Sequence, residues 1–326
     1  MSIVIGVDTS NYTTSFAALD AKSGELVMEK KLLPVKPGEL GLRQSDAVFH
    51  HVAQLGELAG RVLDALPKDA RIEAVGVSAW PRRVEGSYMP CFLVGQLAAD
   101  LLYGALRVPK YEFSHQEGHV AAALYSAGKV EWLSAPFYAF HVSGGTTELL
   151  SCTPDEKHLL SVERVGGTLD LNAGQAVDRV GGMLGLSFPA GPQLERLAFE
   201  CEETIPTKPV LKGLDCCLSG LQNQCEKLLE QGRTPAYTAK FCLQMISDTL
   251  AGMTRRLLKT RQTRPILYAG GVMSNAMIRK RLEGEFGGVF AEPRFSADNA
   301  AGTALLAALS HARTKEESLP WMRTDF

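Results

Sequence analysis

The chain opens with a short apolar run, Ile3–Asp8, that ends in the turn cluster Asp8-Thr9-Ser10-Asn11. Ser15–Asp20 and Leu26–Leu33 follow as antiparallel partners, with Ser23-Gly24 marking the second turn. Ser45 is the expected N-cap of a helix over Ala47–Leu66, where Val48, Val52, Leu55, Leu58, Val62 and Leu66 recur at helical spacing. Ile72–Ser78 then reads as a strand and Phe92–Leu106 as a helix. The second half begins like the first. Strand Phe137–Ser143, turn Gly144-Gly145-Thr146-Thr147 and strand Glu148–Thr153 repeat the strand, small-hydroxyl turn, strand pattern. Helical periodicity then dominates over Ala173–Leu184, Gln193–Cys201, Leu218–Leu229, Pro235–Thr260, Ser274–Phe286 and Asn299–Ala312. One further strand, Ile266–Ala269, runs into Gly270-Gly271. No low-complexity linker separates the halves, which predicts two lobes.

Composition narrows the picture. At 326 residues, with 45% hydrophobic and 21% charged, the chain can bury a core without a disulfide or metal staple. Its net charge of −2 excludes nucleic-acid binding by bulk positive charge, though not through a local basic patch. The seven cysteines lack metal-finger spacing and read as reduced thiols of a cytoplasmic protein. No signal-peptide pattern precedes Ile3, and the most apolar stretch, Pro90 to Leu106, carries Gln96 and Asp100, so no membrane role is expected.

Three groups of residues carry chemistry. His115 and His119 stand four apart and share one helix face, close enough for one metal ion. The alternative is a pair of ordinary surface histidines, and a metal would need a third ligand, most often a carboxylate. Two glycine turns follow strands, Ser143-Gly144-Gly145-Thr146 and Gly270-Gly271-Val272-Met273-Ser274-Asn275. Glycine lets backbone amides approach phosphate oxygens, and the helix after the second turn adds its positive end. Neither turn has the Walker or the Gly-x-Gly-x-x-Gly pattern. Asp178, on the polar side of its helix, could bond ribose hydroxyls or simply face solvent beside Arg179. Asp298 could be no more than an N-cap.

In their order along the chain these motifs resemble the TsaD family, once called O-sialoglycoprotein endopeptidases. The segments concerned are Gly6-Val7-Asp8-Thr9-Ser10, His115 with His119, Val142-Ser143-Gly144-Gly145, Gly174 to Asp178, Gly185 to Pro192, Ser219-Gly220-Leu221, Ala269 to Val272 with Asn275, and Asp298-Asn299. The resemblance implies a two-lobed α/β fold of the actin/sugar-kinase/Hsp70 (ASKHA) class with a nucleotide cleft between lobes. Residues 1–110 with 298–326 would form the first lobe, and 111–297 the second, carrying the metal and adenosine motifs. It implies a tRNA threonylcarbamoyltransferase that moves threonylcarbamoyl from its adenylate to the adenosine beside the anticodon. His115, His119 and Asp298 would hold one divalent metal, iron or zinc. Ser143, Gly144, Gly145, Asp178, Gly191, Glu195 and Asn275 would hold the nucleotide, as threonylcarbamoyl-AMP, ATP or AMP. The family's partners would be tRNA, a TsaD-like chain and a small ATPase.

The chain departs from the family pattern at three places. Asn11-Tyr12-Thr13-Thr14 stands where acidic residues are expected, Thr146 replaces a histidine, and Trp80 to Ser87 replaces a glycine loop. Arg82 and Arg83 in that loop are the local candidates for tRNA phosphate. Two rival readings follow: a divergent nucleotide- and metal-binding paralogue, either another carbamoyl-type transferase or a regulatory subunit, and a metalloprotease. Against the protease, no glutamate adjoins the first histidine in the zincin arrangement.

Overall fold

A computed structural model describes residues 1–10, 12–34, 42–296 and 298–322. Of the departure Asn11-Tyr12-Thr13-Thr14, Asn11 lies outside the described residues, while Tyr12, Thr13 and Thr14 are among them. The chain forms two compact units, Met1–Ala135 with Thr153–Val162 and Ala297–Phe326, and Pro136–Cys152 with Glu163–Ser296. The first runs β1 (Ser2–Ser10), β2 (Thr13–Asp20), β3 (Leu26–Leu32), α1 (Gln44–Asp64), β4 (Arg71–Trp80), α2 (Phe92–Leu106), β5 (Lys110–Ser114) and α3 (His115–Ser126). There follow β6 (Phe137–Val142), β7 (Thr147–Asp155), β8 (Leu159–Gly167), α4 (Ala173–Met183), α5 (Gly191–Phe199), β9 (Val210–Lys212) and β10 (Asp215–Cys217). The chain closes with α6 (Gly220–Glu230), α7 (Pro235–Thr260), β11 (Ile266–Ala269), α8 (Ala276–Phe286), β12 (Val289–Phe290) and α9 (Ala301–Thr314).

The repeat expected from the two hairpins is realised as a shared topology. The first sheet has the order β3-β2-β1-β4-β5 and the second β8-β7-β6-β11-β12. In each, an antiparallel hairpin (β1 with β2, β6 with β7) is extended in parallel by a later strand, β4 or β11. That parallel pairing needs a long crossover, which the intervening helices supply. β1 and β2 are buried along their whole length, which explains their unbroken apolar and small-residue runs.

Two expectations need correction. The N-terminal residue of α1 is Gln44, and its cap, Arg43, makes no side-chain capping bond, so Ser45 lies inside the helix. The boundary expected after residue 110 falls at 135, because α3 belongs to the first unit, where it packs on α9. Backbone contact makes that packing possible. A Cβ on Gly302 of α9 would lie 1.8 Å from the Gly118 carbonyl oxygen of α3. Gly6 of β1 and Gly76 of β4 meet α9 in the same way, at 2.4 Å from the Ala300 oxygen and 2.6 Å from the Thr303 oxygen. Glycine at these crossings lets helix and sheet backbones touch.

Candidate active site

Within the first unit, α3 begins with a capping box. Ser114 Oγ accepts from the Glu117 N–H at 3.2 Å, and Glu117 Oε2 accepts from the Ser114 N–H at 2.6 Å. This fixes the first turn and with it His115 and His119, whose rings lie edge to face at 4.2 Å. The segment leading into α9 brings Asp298 to the same point. Asp298 Oδ1 is 3.0 Å from His119 Nε2 and 3.4 Å from His115 Nε2, and Thr13 Oγ1 donates to Oδ2 at 3.5 Å. One ligand atom from each of His115, His119 and Asp298 lies within 4.8 Å of the others. Asp298 is not the cap of α9, because Ala300 holds that position.

The electrostatics of the cluster favour a cation. Burial alone would raise the Asp298 pKa, but hydrogen bonds from both imidazoles outweigh it and hold the carboxyl well below its ordinary range. Burial would lower the His115 pKa, yet the Asp8 and Asp298 carboxylates outweigh it and push it up to about 10. Two carboxylates therefore surround His115 with negative charge. Two imidazoles and a carboxylate are also a donor set suited to divalent iron or zinc. The residues fit a metal ion.

Arg83 closes the outer side of this helix start. Its guanidinium forms two bonds to Glu117, at 2.8 and 3.0 Å, and stacks over Trp80 at 5.4 Å. Glu117 is 1% exposed, so Arg83 neutralises a buried carboxylate. Arg82 is exposed, and its backbone N–H donates to Ser87 Oγ at 3.0 Å.

The second unit holds a cavity of about 520 Å³ lined by Gly144, Asp178, Gly191, Glu195 and Asn275 together with Gly174, Phe188, Leu243, Val272 and Pro293. Five of the seven expected nucleotide residues are therefore brought together, while Ser143 and Gly145 belong to the adjoining turn. Gly174 lets α4 approach that turn: a Cβ there would stand 2.6 Å from both the Gly144 Cα and the Ser143 oxygen. Gly270 has φ +102°, and a Cβ would fall 2.2 Å from the Val142 oxygen. Asp178 Oδ1 accepts from the Ala190 N–H at 2.9 Å, and burial raises its carboxyl pKa. Glu195 Oε1 accepts from the Ala276 N–H at 2.5 Å, and Asn275 Oδ1 caps α8 through the Ile278 N–H at 3.1 Å. Asp170 joins the segment before α4 to the start of α6. It accepts from the Leu171 and Leu218 N–H groups at 2.6 and 2.8 Å and from Ser219 Oγ at 2.6 Å.

Several residues of the site escape a reading of the sequence. The capping box Ser114-His115-Gln116-Glu117 is legible there as a Ser-x-x-Glu pattern. The partnerships of Asp8, Thr13 and Arg83 are not, since only the fold brings them to α3 or Asp298.

Two mixed sheets of one strand order, with His115, His119 and Asp298 gathered in one unit and a glycine-walled cavity in the other, give an α/β protein of the ASKHA class. Solved structures share the fold. The chain aligns with full-length HypF in its phosphate- and nucleotide-bound form at TM-score 0.57 and 14% identity, covering 98% of this chain and 47% of that one. It thus spans about half of HypF. The Acidaminococcus fermentans (R)-2-hydroxyglutaryl-CoA dehydratase component A aligns at TM-score 0.54 and 14% identity, over 96% of this chain and 100% of that one. Residues 37–305 match the family TsaD, tRNA N6-adenosine threonylcarbamoyltransferase. A tRNA N6-adenosine threonylcarbamoyltransferase of Thermus thermophilus is 34% identical over 319 residues, 95% of this chain and 93% of that protein. The enzyme of a second strain of the same species is also 34% identical, over 95% of this chain and 92% of that protein. The chain belongs to this family. Among the described residues no helix is long and apolar enough to cross a membrane.

Proposed function

We propose that this chain transfers a threonylcarbamoyl group from its adenylate to a tRNA adenosine. The observation that carries the reading is the convergence of His115, His119 and Asp298, distant in sequence, within 4.8 Å. These three would hold one divalent ion, iron or zinc, whose Lewis acidity toward phosphate and carbonyl oxygens suits a mixed anhydride. The cavity of Gly144, Asp178, Gly191, Glu195 and Asn275 supports adenylate binding. Gly144 leaves backbone room for phosphate oxygens. The Asp178 carboxylate suits ribose hydroxyls, and Phe188, Leu243 and Val272 offer apolar surface to the base. Arg82 is exposed and suits a tRNA phosphate, whereas Arg83 acts through Glu117. Leu93, Leu97 and Leu101 form an exposed stripe on α2 that supports docking of a TsaD-like partner chain. The small ATPase would join that assembly, and the cytoplasm is the compartment that holds its tRNA substrate.

The test is reconstitution. The metal-loaded chain, the threonylcarbamoyl adenylate, partner proteins and a tRNA with the acceptor adenosine are combined, and nucleosides are separated by liquid chromatography and mass spectrometry. Threonylcarbamoyladenosine is the expected product. Its absence, with a chain that still binds adenylate and metal, would overturn the acceptor assignment.

A further inference from the structure

The acidic residue near the end of β1 is buried. Asp8 is 1% exposed, and a buried carboxylate must be paired and fully hydrogen-bonded. Its bonds come from three elements. Ser78 Oγ of β4 donates to Oδ2 at 2.5 Å, the Ser10 N–H donates to Oδ1 at 2.9 Å, and His115 Nδ1 lies 2.7 Å from Oδ2. Ser78 is in turn held by Thr303 Oγ1 of α9 at 3.1 Å. The carboxylate is therefore anchored to the adjacent inner strands β1 and β4 of the first sheet before it meets the imidazole.

The two nitrogens of His115 face different partners. Nδ1 meets Asp8, while Nε2 faces Asp298 at 3.4 Å, beside His119 Nε2. As a metal ligand the imidazole would be neutral and carry one proton. Donated from Nδ1 to Asp8, that proton leaves the Nε2 lone pair directed at the ligand cluster and makes it more basic. The Phe92 ring, edge to face with His115 at 6.1 Å, bounds the ring on another side.

We propose that Asp8 is a positioning residue that fixes the tautomer and orientation of His115 as a metal ligand, with Ser78 holding Asp8 in place. This inference rests on the metal reading of His115, His119 and Asp298. It assigns no ligand role to Asp8 itself, whose oxygen is occupied by Ser78 and His115 Nδ1.

The experiment titrates chelator-stripped protein with Zn²⁺ alone against a chromophoric chelator, and records the visible spectrum of the Co²⁺-loaded form. Asp8→Ala is expected to weaken Zn²⁺ binding by roughly 10- to 100-fold. Asp8→Asn, whose amide oxygen still accepts the Nδ1 proton, should recover part of that loss and shift the Co²⁺ bands. Ser78→Ala should weaken binding by a smaller factor without touching the ligands. If Asp8→Ala does not fold, Asp8→Asn and Ser78→Ala carry the test. A wild-type chain that binds Zn²⁺ while Asp8→Asn and Ser78→Ala match it in affinity and spectrum would overturn the positioning role alone. A wild-type chain that binds no Zn²⁺ or Co²⁺ would overturn the metal reading, and this inference with it.

Discussion

Gly302 of α9 and Gly118 of α3 are in backbone contact, and a single methyl group on Gly302 would sit 1.8 Å from the Gly118 carbonyl oxygen. Gly118 immediately precedes His119, a proposed metal ligand, and Asp298 lies just ahead of α9, so this crossing sets how α3 meets the carboxylate. Gly302→Ala must push the helices apart. It is expected to cost about 3 kcal/mol and to lower metal affinity at the same time. Urea denaturation and chelator competition measure the two effects. A variant of wild-type stability would show that the crossing relaxes freely.

His119→Ala removes one of the three proposed metal ligands from a partly exposed position and leaves the capping box of α3 intact. Metal affinity is expected to fall on the order of 100-fold or more, since three protein ligands become two. Circular dichroism should be unchanged. One equivalent of metal retained through dialysis against chelator would refute the assignment.

In the second unit, Asp178→Ala should weaken adenylate binding by about tenfold in calorimetric titration, the loss of one or two hydrogen bonds. Asn275 has a second role as the cap of α8. Asn275→Ala should therefore cost about 1 kcal/mol of stability as well as affinity, and Asn275→Ser should restore the stability but not the affinity. Equal restoration of both would limit Asn275 to capping.

The two arginines of the 80s loop should behave differently. Arg83→Ala leaves the buried Glu117 carboxylate unpaired and is expected to cost roughly 3 kcal/mol. Arg82→Ala should stay within about 0.5 kcal/mol of wild type yet reduce tRNA affinity and lower the salt dependence of binding by about one phosphate contact. Filter binding across a salt series, beside thermal melts, separates the two.

Acid should act through His51, which is fully buried on α1 with Nδ1 at 2.8 Å from Thr14 Oγ1. Burial lowers its pKa from 6.5 to about 4, with the Asp8 charge opposing only in part. Between these values the unfolded state binds a proton that the folded state does not. Stability falls as pH drops from 6.5 toward 4, by up to roughly 3 kcal/mol. His115, raised to about 10, is protonated in both states below pH 6.5 and adds no slope in that window. Urea midpoints at pH 7 and about pH 4.5 should therefore differ less in His51→Gln than in wild type. Parallel pH profiles would rule His51 out as the acid-sensitive group.

The periodicity of the chain was enough to mark the buried hairpin of β1 and β2, the long helices α1 and α7 and the glycine turn before α8. Each is a local consequence of apolar spacing or of a backbone that only glycine tolerates. Several strands escaped it. β5 and β8 mix polar and apolar residues and β12 is only two residues long, and β5 and β12 are held by parallel pairing with β4 and β11 rather than by a local hairpin. The same division holds at the site. His115 and His119 are four residues apart, so one helix turn declares them a pair. Asp298 is joined to them across 179 residues, and only the backbone contact of α9 with α3 brings its carboxylate to 3.0 Å from His119. Asp8, Ser78 and Arg83 gained their roles in the same way, because hydrogen bonds between strands, helices and loops are fixed by packing rather than by spacing along the chain. The residue types capable of the chemistry were written in the sequence. Which of them meet was decided by small residues where helices and sheet cross.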